Sequence, residues 1–340
     1  KADAYGHGIH PTAARLMQSG VDLFAVANVR EATEIREMGS GWPILVLGPL
    51  LPEEDETLAT HDLIATISSA EELDRLTEVA ESSGKTLPIH LKIDTGMGRL
   101  GAWWESAADL LRDARSRSKL DLQGALTHFA DPADPDFTQR QREIFLGILR
   151  EENLLGQPDF LVHADNSSSL RALSKSDPFN AVRIGLLQFG VSPPAGSPLA
   201  DLLVEQVFSF HTRLALVKEL PAGATVSYGR QHRLERDSRV GLLSAGYGDA
   251  IPLTCGGRAH VLVQGRRHPI IGRVTMDQTL IDLTDASEHL QPGENVTLIG
   301  RQGEESITLS ELANHADTIP WEILCSVTKR VPRVYKTTRE

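Results

Sequence analysis

The sequence predicts an α/β fold: a parallel (β/α)8 barrel over residues 1–200, followed by a mostly β domain over residues 201–340. Three observations carry this. Short runs rich in Leu, Ile, Val and Ala alternate with helical patterns through the first part of the chain, as in successive βαβ units. Polar clusters fall where those runs end. Beyond Pro193-Pro194-Ala195-Gly196, which reads as a linker, the pattern becomes alternating β.

In order, the expected strands of the first part are 22–28, 43–48, 63–68, 88–94, 122–129, 159–166 and 181–185. They show little polar alternation, as strands covered on both faces should. The expected helices are 10–18, 30–38, 70–82, 105–115, 139–151 and 168–174, with the link 50–62 the least clear. A closed barrel needs an eighth strand. Because a helix pattern comes first, the reading places that strand upstream of the sequence and Lys1 just past its end. The chain starts with lysine, not methionine, so the natural N-terminus is also expected upstream. An open doubly wound sheet of seven strands is the competing architecture. In the second part, strands are expected at 205–218, 225–227, 239–244, 260–264, 269–273, 279–283, 295–299 and 321–326. One helix is expected at 309–315, capped by Thr308 or Ser310.

The bulk numbers narrow the function. In 340 residues, 41% are hydrophobic and 24% charged, and the net charge is −12. An acidic chain argues against nucleic acid or an anionic membrane as main partner. No apolar run approaches membrane-spanning length. Cys255 and Cys325 lack metal-ligand spacing, so no metal site and a cytoplasmic location are expected.

Barrel active sites lie at the C-terminal ends of the strands. Lys92–Arg99, Thr127–Phe129, His163–Ser167 and Arg183–Leu186 all fall there. Lys1, in Lys1-Ala2-Asp3-Ala4-Tyr5-Gly6-His7-Gly8, is suited to form a Schiff base with an aldehyde cofactor, and pyridoxal 5'-phosphate (PLP) is the common partner. Ser167 and the Gly185–Leu186 backbone are candidate phosphate donors, Tyr5 adds a hydroxyl, and His128 can pack on the ring. Arg183, always protonated, suits the pyridine nitrogen, to which it donates without giving up its proton. The ring is then a weaker electron sink, which disfavours transamination. Racemisation needs an acid/base group on each face of the substrate Cα. Lys1 serves one face, and Tyr228 is the candidate for the other, with a cation such as Arg99 stabilising its phenolate.

The chain resembles the alanine racemase family from the opening octapeptide to Arg330-Val331-Pro332-Arg333. Asp94-Thr95-Gly96-Met97-Gly98-Arg99-Leu100-Gly101, Val226–Gly229, Ala245-Gly246-Tyr247 and Met276-Asp277-Gln278 carry the likeness between. The resemblance implies a PLP-binding TIM-like barrel with a β domain, working as a homodimer with shared sites. It implies an isomerase acting on alanine, supplying D-alanine for the peptidoglycan of the cell wall. Lys1 would be the base acting on D-alanine and Tyr228, from the second subunit, the base acting on L-alanine. Tyr5, Ser167, Gly185 and Leu186 would hold the cofactor phosphate, and Asn166 would also bind the cofactor. Arg183 would meet the pyridine nitrogen. Arg99 and the Met276 backbone would bind the substrate carboxylate. Lys92 matches a lysine often carbamylated in the family, and Tyr247 would line the entrance.

Two positions depart from the family pattern. Trp321 stands where a phosphate-binding tyrosine is usual, and indole offers one N–H and no acceptor. Phe189 replaces a common tyrosine, a packing change. The Trp321 change opens a second reading, a racemase of wider specificity acting on serine or basic amino acids. A PLP-dependent decarboxylase is a third, for which a carboxylate at the pyridine nitrogen is expected. A PLP carrier without turnover is a fourth, disfavoured by the β domain and Tyr228.

Overall fold

The computed structural model describes residues 1–170, 177–193, 195–287 and 289–336. The chain divides into two compact units. Lys1–Ala4, Gly8–Gln188 and Ser192–Leu203 form the first; Tyr5–His7, Phe189–Val191 and the chain from Val204 onward form the second.

The first unit holds strands β1 (Phe24–Val26), β2 (Ile44–Val46), β3 (Ile64–Ile67), β4 (Leu87–Asp94), β5 (Ala102–Trp103), β6 (Leu120–Leu126), β7 (Leu161–Asn166) and β8 (Ala181–Arg183). All pair in parallel, in the order β1-β2-β3-β4-β6-β7-β8, with the short β5 beside the end of β4. Each main strand lies next to its predecessor. A doubly wound sheet reverses its strand order part-way, so this is a nearly closed barrel. Strands β2 and β3 are buried at every position, which explains their lack of polar alternation.

Local chemistry sets the intervening helices. Asn28 and Ser69 accept the N–H groups of Glu31 and Glu72, capping Val29–Met38 and Ala70–Ser83. The helix expected from 139 begins at Pro135, because Asp134 accepts the Phe137 N–H at 3.0 Å and Pro135 fills the first helical position. The unclear link resolves into a 3-10 turn, Pro52–Glu54, and a short helix, Asp55–Thr60. The helix expected at 168–174 lies outside the described residues from 171 onward, as does Pro194 of the linker.

The second unit is an antiparallel sheet built from β9 (Phe210–Leu220), β12 (Ser238–Leu243), β13 (His260–Val263), β14 (Arg266–Ile271), β15 (Thr279–Asp282), β16 (Asn295–Gln302) and β17 (Glu305–Ile307). A separate hairpin is made by β10 (Thr225–Val226) and β11 (His232–Arg233). The order is β13-β14-β15-β12-β9-β16-β17, and β13 also pairs with β16, closing six of the strands into a ring. Thr308 caps the helix Leu309–His315.

Two expectations are corrected here. The stretch 321–326 is not a strand but part of the helix Pro320–Ser326. Pro320 occupies the first turn, and Ile323 and Leu324 are its buried residues. A six-residue apolar run does not by itself separate helix from strand. The strand expected from 205 starts only at Phe210. The backbone before it runs against Phe189–Gly190 instead: Val207 N–H donates to the Phe189 carbonyl at 3.1 Å. No helix among the described residues is long and apolar enough to cross a membrane.

Candidate active site

The octapeptide at Lys1 folds into a left-handed turn. Ala2, Asp3, Ala4 and Tyr5 all have positive φ, from 45° to 55°. Each such non-glycine residue costs roughly 1–2 kcal/mol, so the surroundings must enforce the conformation. Asp3 is held three ways. Its N–H donates to Glu31 Oε1 at 3.0 Å, its carbonyl accepts from Gly8 N–H at 3.0 Å, and its Oδ1 accepts from Ile9 N–H at 2.8 Å. Gly6 has φ 74°, and a Cβ there would stand 2.2 Å from the Leu324 carbonyl oxygen.

Arg183, at the end of β8, is half-buried and its two terminal nitrogens are fully engaged. Nη1 donates to the His163 carbonyl (2.8 Å) and to His163 Nδ1 (2.9 Å). Nη2 donates to the carbonyls of Thr127 (2.8 Å) and Ala164 (2.9 Å) and to His128 Nδ1 (3.2 Å). Nε makes no hydrogen bond among the described residues. Burial lowers the Arg183 pKa to about 10, with Asp165 pulling it back up, so the group stays charged at neutral pH. Burial first, and then Arg183, pushes His128 down to about 3. Lys92, Arg99 and Lys1 add to that depression. His128 is therefore a neutral ring.

Ser167, at the end of β7, is buried, and its Oγ accepts the N–H groups of Gly185 (2.8 Å) and Leu187 (3.4 Å). Among the described residues its own proton has no acceptor and is available for donation. Asn166, not Ser167, caps the following turn: its Oδ1 accepts from Ser168 N–H at 2.8 Å and Ser169 N–H at 3.2 Å.

The loop after β4 carries Arg99. Asp94 Oδ1 accepts from the N–H groups of Gly96, Met97 and Gly98, and Oδ2 from Arg99 N–H, at 2.9–3.1 Å. Burial pushes the Asp94 pKa up, but these four donors outweigh it and hold the carboxyl below its ordinary range. Gly101, at φ 120°, lets the chain cross β4, where a Cβ would meet Asp94 N at 2.9 Å and Lys92 Cγ at 3.0 Å. Lys92 is buried, and burial, then Arg183 and Arg99, lowers its amine to about 8.

In the second unit, Tyr5 lies against Phe189 at 5.7 Å between ring centroids, and His7 stacks on Phe189 at 4.0 Å. Phe189 is thus a packing residue. Burial, with Cys325 adding to it, raises the Tyr5 pKa, keeping the phenol a donor. Trp321 lies on the helix Pro320–Ser326 and is partly buried. Tyr228 sits in a 3-10 turn between Ser227 (φ 63°) and Arg230 (φ 50°) and is 71% exposed. Met276 is also exposed, and its carbonyl accepts from Gly248 N–H at 2.9 Å, beside Tyr247.

Residues 1–193 match the family described as "Alanine racemase, N-terminal domain", and residues 207–335 match "Alanine racemase, C-terminal domain". The chain belongs to the alanine racemase family. An alanine racemase of Halothermothrix orenii is 37% identical over 338 residues, covering 99% of this chain and 88% of the relative. One from Geobacillus kaustophilus is 39% identical, covering 98% and 86%. The crystal structure of alanine racemase from Bacillus anthracis with bound L-Ala-P superposes with a TM-score of 0.88 at 34% identity, covering 100% of this chain and 87% of that one. The crystal structure of alanine racemase from E.faecalis gives 0.89 at 32%, covering 98% and 89%.

Within this alanine racemase fold, three groups were not among the candidates read from the sequence: Gln141, His90 and Glu31. Gln141 is fully buried; its Nε2 donates to Thr95 Oγ1 (3.1 Å) and the His128 carbonyl (3.2 Å), and its Oε1 accepts from Ala130 N–H (2.9 Å). It ties the loop after β4 to the loop after β6. A polar residue on the buried stripe Thr138, Gln141, Phe145, Leu149 was the available signal. His90 and His163 face each other at 2.9 Å. His90 shares a strand face with Lys92 and Asp94 by the two-residue period. Glu31 is the third.

Proposed function

We infer that this chain interconverts L- and D-alanine with PLP held on Lys1, a second copy of the chain supplying Tyr228 to each site. Family membership over nearly the whole chain supports the reaction. The observation that carries the residue assignment is Arg183. A group meant to meet a pyridine nitrogen needs a donor to spare, and Arg183 has Nε–H left over while both terminal nitrogens are anchored. The phosphate needs donors, and the Ser167 proton and the protonated Tyr5 phenol fit that need.

When bound, PLP supplies the electron sink that lets the substrate Cα lose a proton. The protein does the rest. Lys1 exchanges the α-proton on the D face and Tyr228 on the L face. Arg99 and the Met276 backbone hold the substrate carboxylate. Tyr5, Ser167, Gly185 and Leu186 hold the phosphate, Asn166 and Trp321 also belong to the cofactor site, and neutral His128 packs on the ring. Arg183 donates without surrendering its proton, which restrains charge build-up on the ring and favours returning a proton to Cα. The Lys92 amine, lowered to about 8, is nucleophilic enough to take up carbon dioxide; the resulting carbamate anion would orient Arg99. The exposure of Tyr228 and Met276 suits a surface completed by a partner copy. The D-alanine made would feed peptidoglycan in the cytoplasm.

Trp321 favours keeping a wider-specificity racemase as the second reading, since it alters a phosphate-side position. A decarboxylase is opposed by Arg183, a cation where a carboxylate is expected. The test is incubation of the PLP-loaded protein with L-alanine, serine, arginine and lysine, followed by chiral chromatography and carbon dioxide trapping. An equal mixture of alanine enantiomers, with little turnover of the others, is expected. Faster turnover of a larger amino acid would establish the second reading, and release of carbon dioxide would overturn both.

A further inference from the structure

Glu31 takes no part in the chemistry assigned so far, yet its carboxylate bridges two stretches of backbone near the lysine. Oε1 accepts from Asp3 N–H at 3.0 Å, inside the left-handed turn, and Oε2 accepts from Ala27 N–H at 3.0 Å, just past β1. The side chain is only 12% exposed. Its own backbone is fixed, because Glu31 N–H donates to Asn28 Oδ1 at 2.9 Å in the first turn of the helix Val29–Met38. The turn it grips is one the chain would not adopt unaided, with four successive non-glycine residues at positive φ. Asp3 carries the grip onward, through its Oδ1 to Ile9 N–H and its carbonyl to Gly8 N–H.

We propose that Glu31 is a positioning residue for Lys1: its carboxylate clamps the left-handed turn that follows the lysine and so fixes where the lysine side chain starts. The proposal deepens the functional reading and rests on Lys1 being the cofactor-bearing residue. The chemistry requires a carboxylate. Both oxygens of Glu31 are acceptors facing N–H donors, whereas a carboxamide would turn an NH2 towards one of the two amides. A strain-holding clamp also differs from ordinary structural glue. When it is removed, the turn relaxes to unstrained φ, and the energy regained offsets the lost hydrogen bonds. Lysine placement then suffers more than global stability.

The test compares Glu31→Ala, Glu31→Gln and Asn28→Ala, the last removing the helix cap while leaving the Glu31 carboxylate. Amide hydrogen exchange at Asp3 and Gly8 is read in cofactor-free protein, with the thermal midpoint beside it. Attachment of PLP to Lys1 is then followed by absorbance. For Glu31→Ala, exchange at Asp3 and Gly8 at least ~10-fold faster is expected, and attachment at least ~10-fold slower, with a midpoint no lower than that of Asn28→Ala. Glu31→Gln should fall nearer to Glu31→Ala than to wild type. Unchanged exchange, or slowing that Asn28→Ala reproduces in proportion to its lost stability, would overturn the clamp. If wild-type protein attached no PLP at Lys1, the functional reading would fall, while the exchange data would still decide whether Glu31 holds the turn.

Discussion

Arg183 Nη1 donates to His163 Nδ1 at 2.9 Å, and that contact decides where the protons sit on two buried histidines. A guanidinium has no acceptor, so His163 Nδ1 must accept. A neutral His163 then carries its proton on Nε2 and donates it to His90 Nδ1, 2.9 Å away. His90 in turn holds its proton on Nε2, which has no partner among the described residues. Burial, then Arg183, pushes His90 down to about 4 and His163 well below its ordinary value.

The first prediction follows from those protons. Nitrogen-15 spectra of histidine-labelled protein should show His90 and His163 as neutral Nε2–H tautomers down to at least pH ~5. The sign for stability is fixed by the same shift. A histidine whose folded pKa lies below its unfolded value stabilises the fold above about 6.5, and that contribution is lost as pH falls towards the folded value. Between about pH 6.5 and about 4, unfolding free energy should drop by up to ~1.4 kcal/mol per pH unit for each such residue. Denaturant titrations showing no loss in this window would contradict the assignment.

Asp94 supports a second prediction. Replacing it by Ala removes the acceptor of four backbone N–H groups and frees the loop that carries Arg99. Since hydrogen bonds to a charged group are worth about 1.5–3 kcal/mol each at most, loosening is expected to raise KM for alanine ~10-fold or more. PLP affinity should change far less, because the donors assigned to the phosphate are on other loops. Steady-state kinetics and a cofactor titration separate the two effects.

Lys92 supplies the third. An amine with a pKa of about 8 is substantially neutral just above neutrality, and only the neutral amine adds to carbon dioxide. Carbon-13 spectra in labelled bicarbonate should show a carbamate signal that grows as pH rises through about 8 and is missing from Lys92→Ala. A signal of equal size in the variant would remove Lys92 from the account.

The barrel was legible because its strands are covered on both faces; the caps Asn28, Ser69 and Asp134 were not read, and the helix expected from 139 starts earlier, at Pro135, behind Asp134. The helix Pro320–Ser326 was misread because six apolar-rich residues fit either period, and the proline that marks the start was not weighed. Ser167 and Arg183 could be read as site candidates from their place at strand ends. Glu31 could not, since its role depends on backbone groups brought near by folding and a glutamate in a first helical turn looks ordinary in sequence; Gln141 showed only as a polar residue on an apolar stripe, with nothing to say which backbone groups it would meet.

In the proposed reaction two different groups, Lys1 and Tyr228, handle the α-proton from opposite faces of the substrate. The most direct test is Tyr228→Phe, with loss of α-deuterium followed separately from labelled L-alanine and D-alanine. Exchange from L-alanine is expected to collapse by a factor of ~100 or more, in the range set by loss of a general acid/base, while exchange from D-alanine through Lys1 survives to a much greater extent. Equal and undiminished exchange from both enantiomers would contradict it.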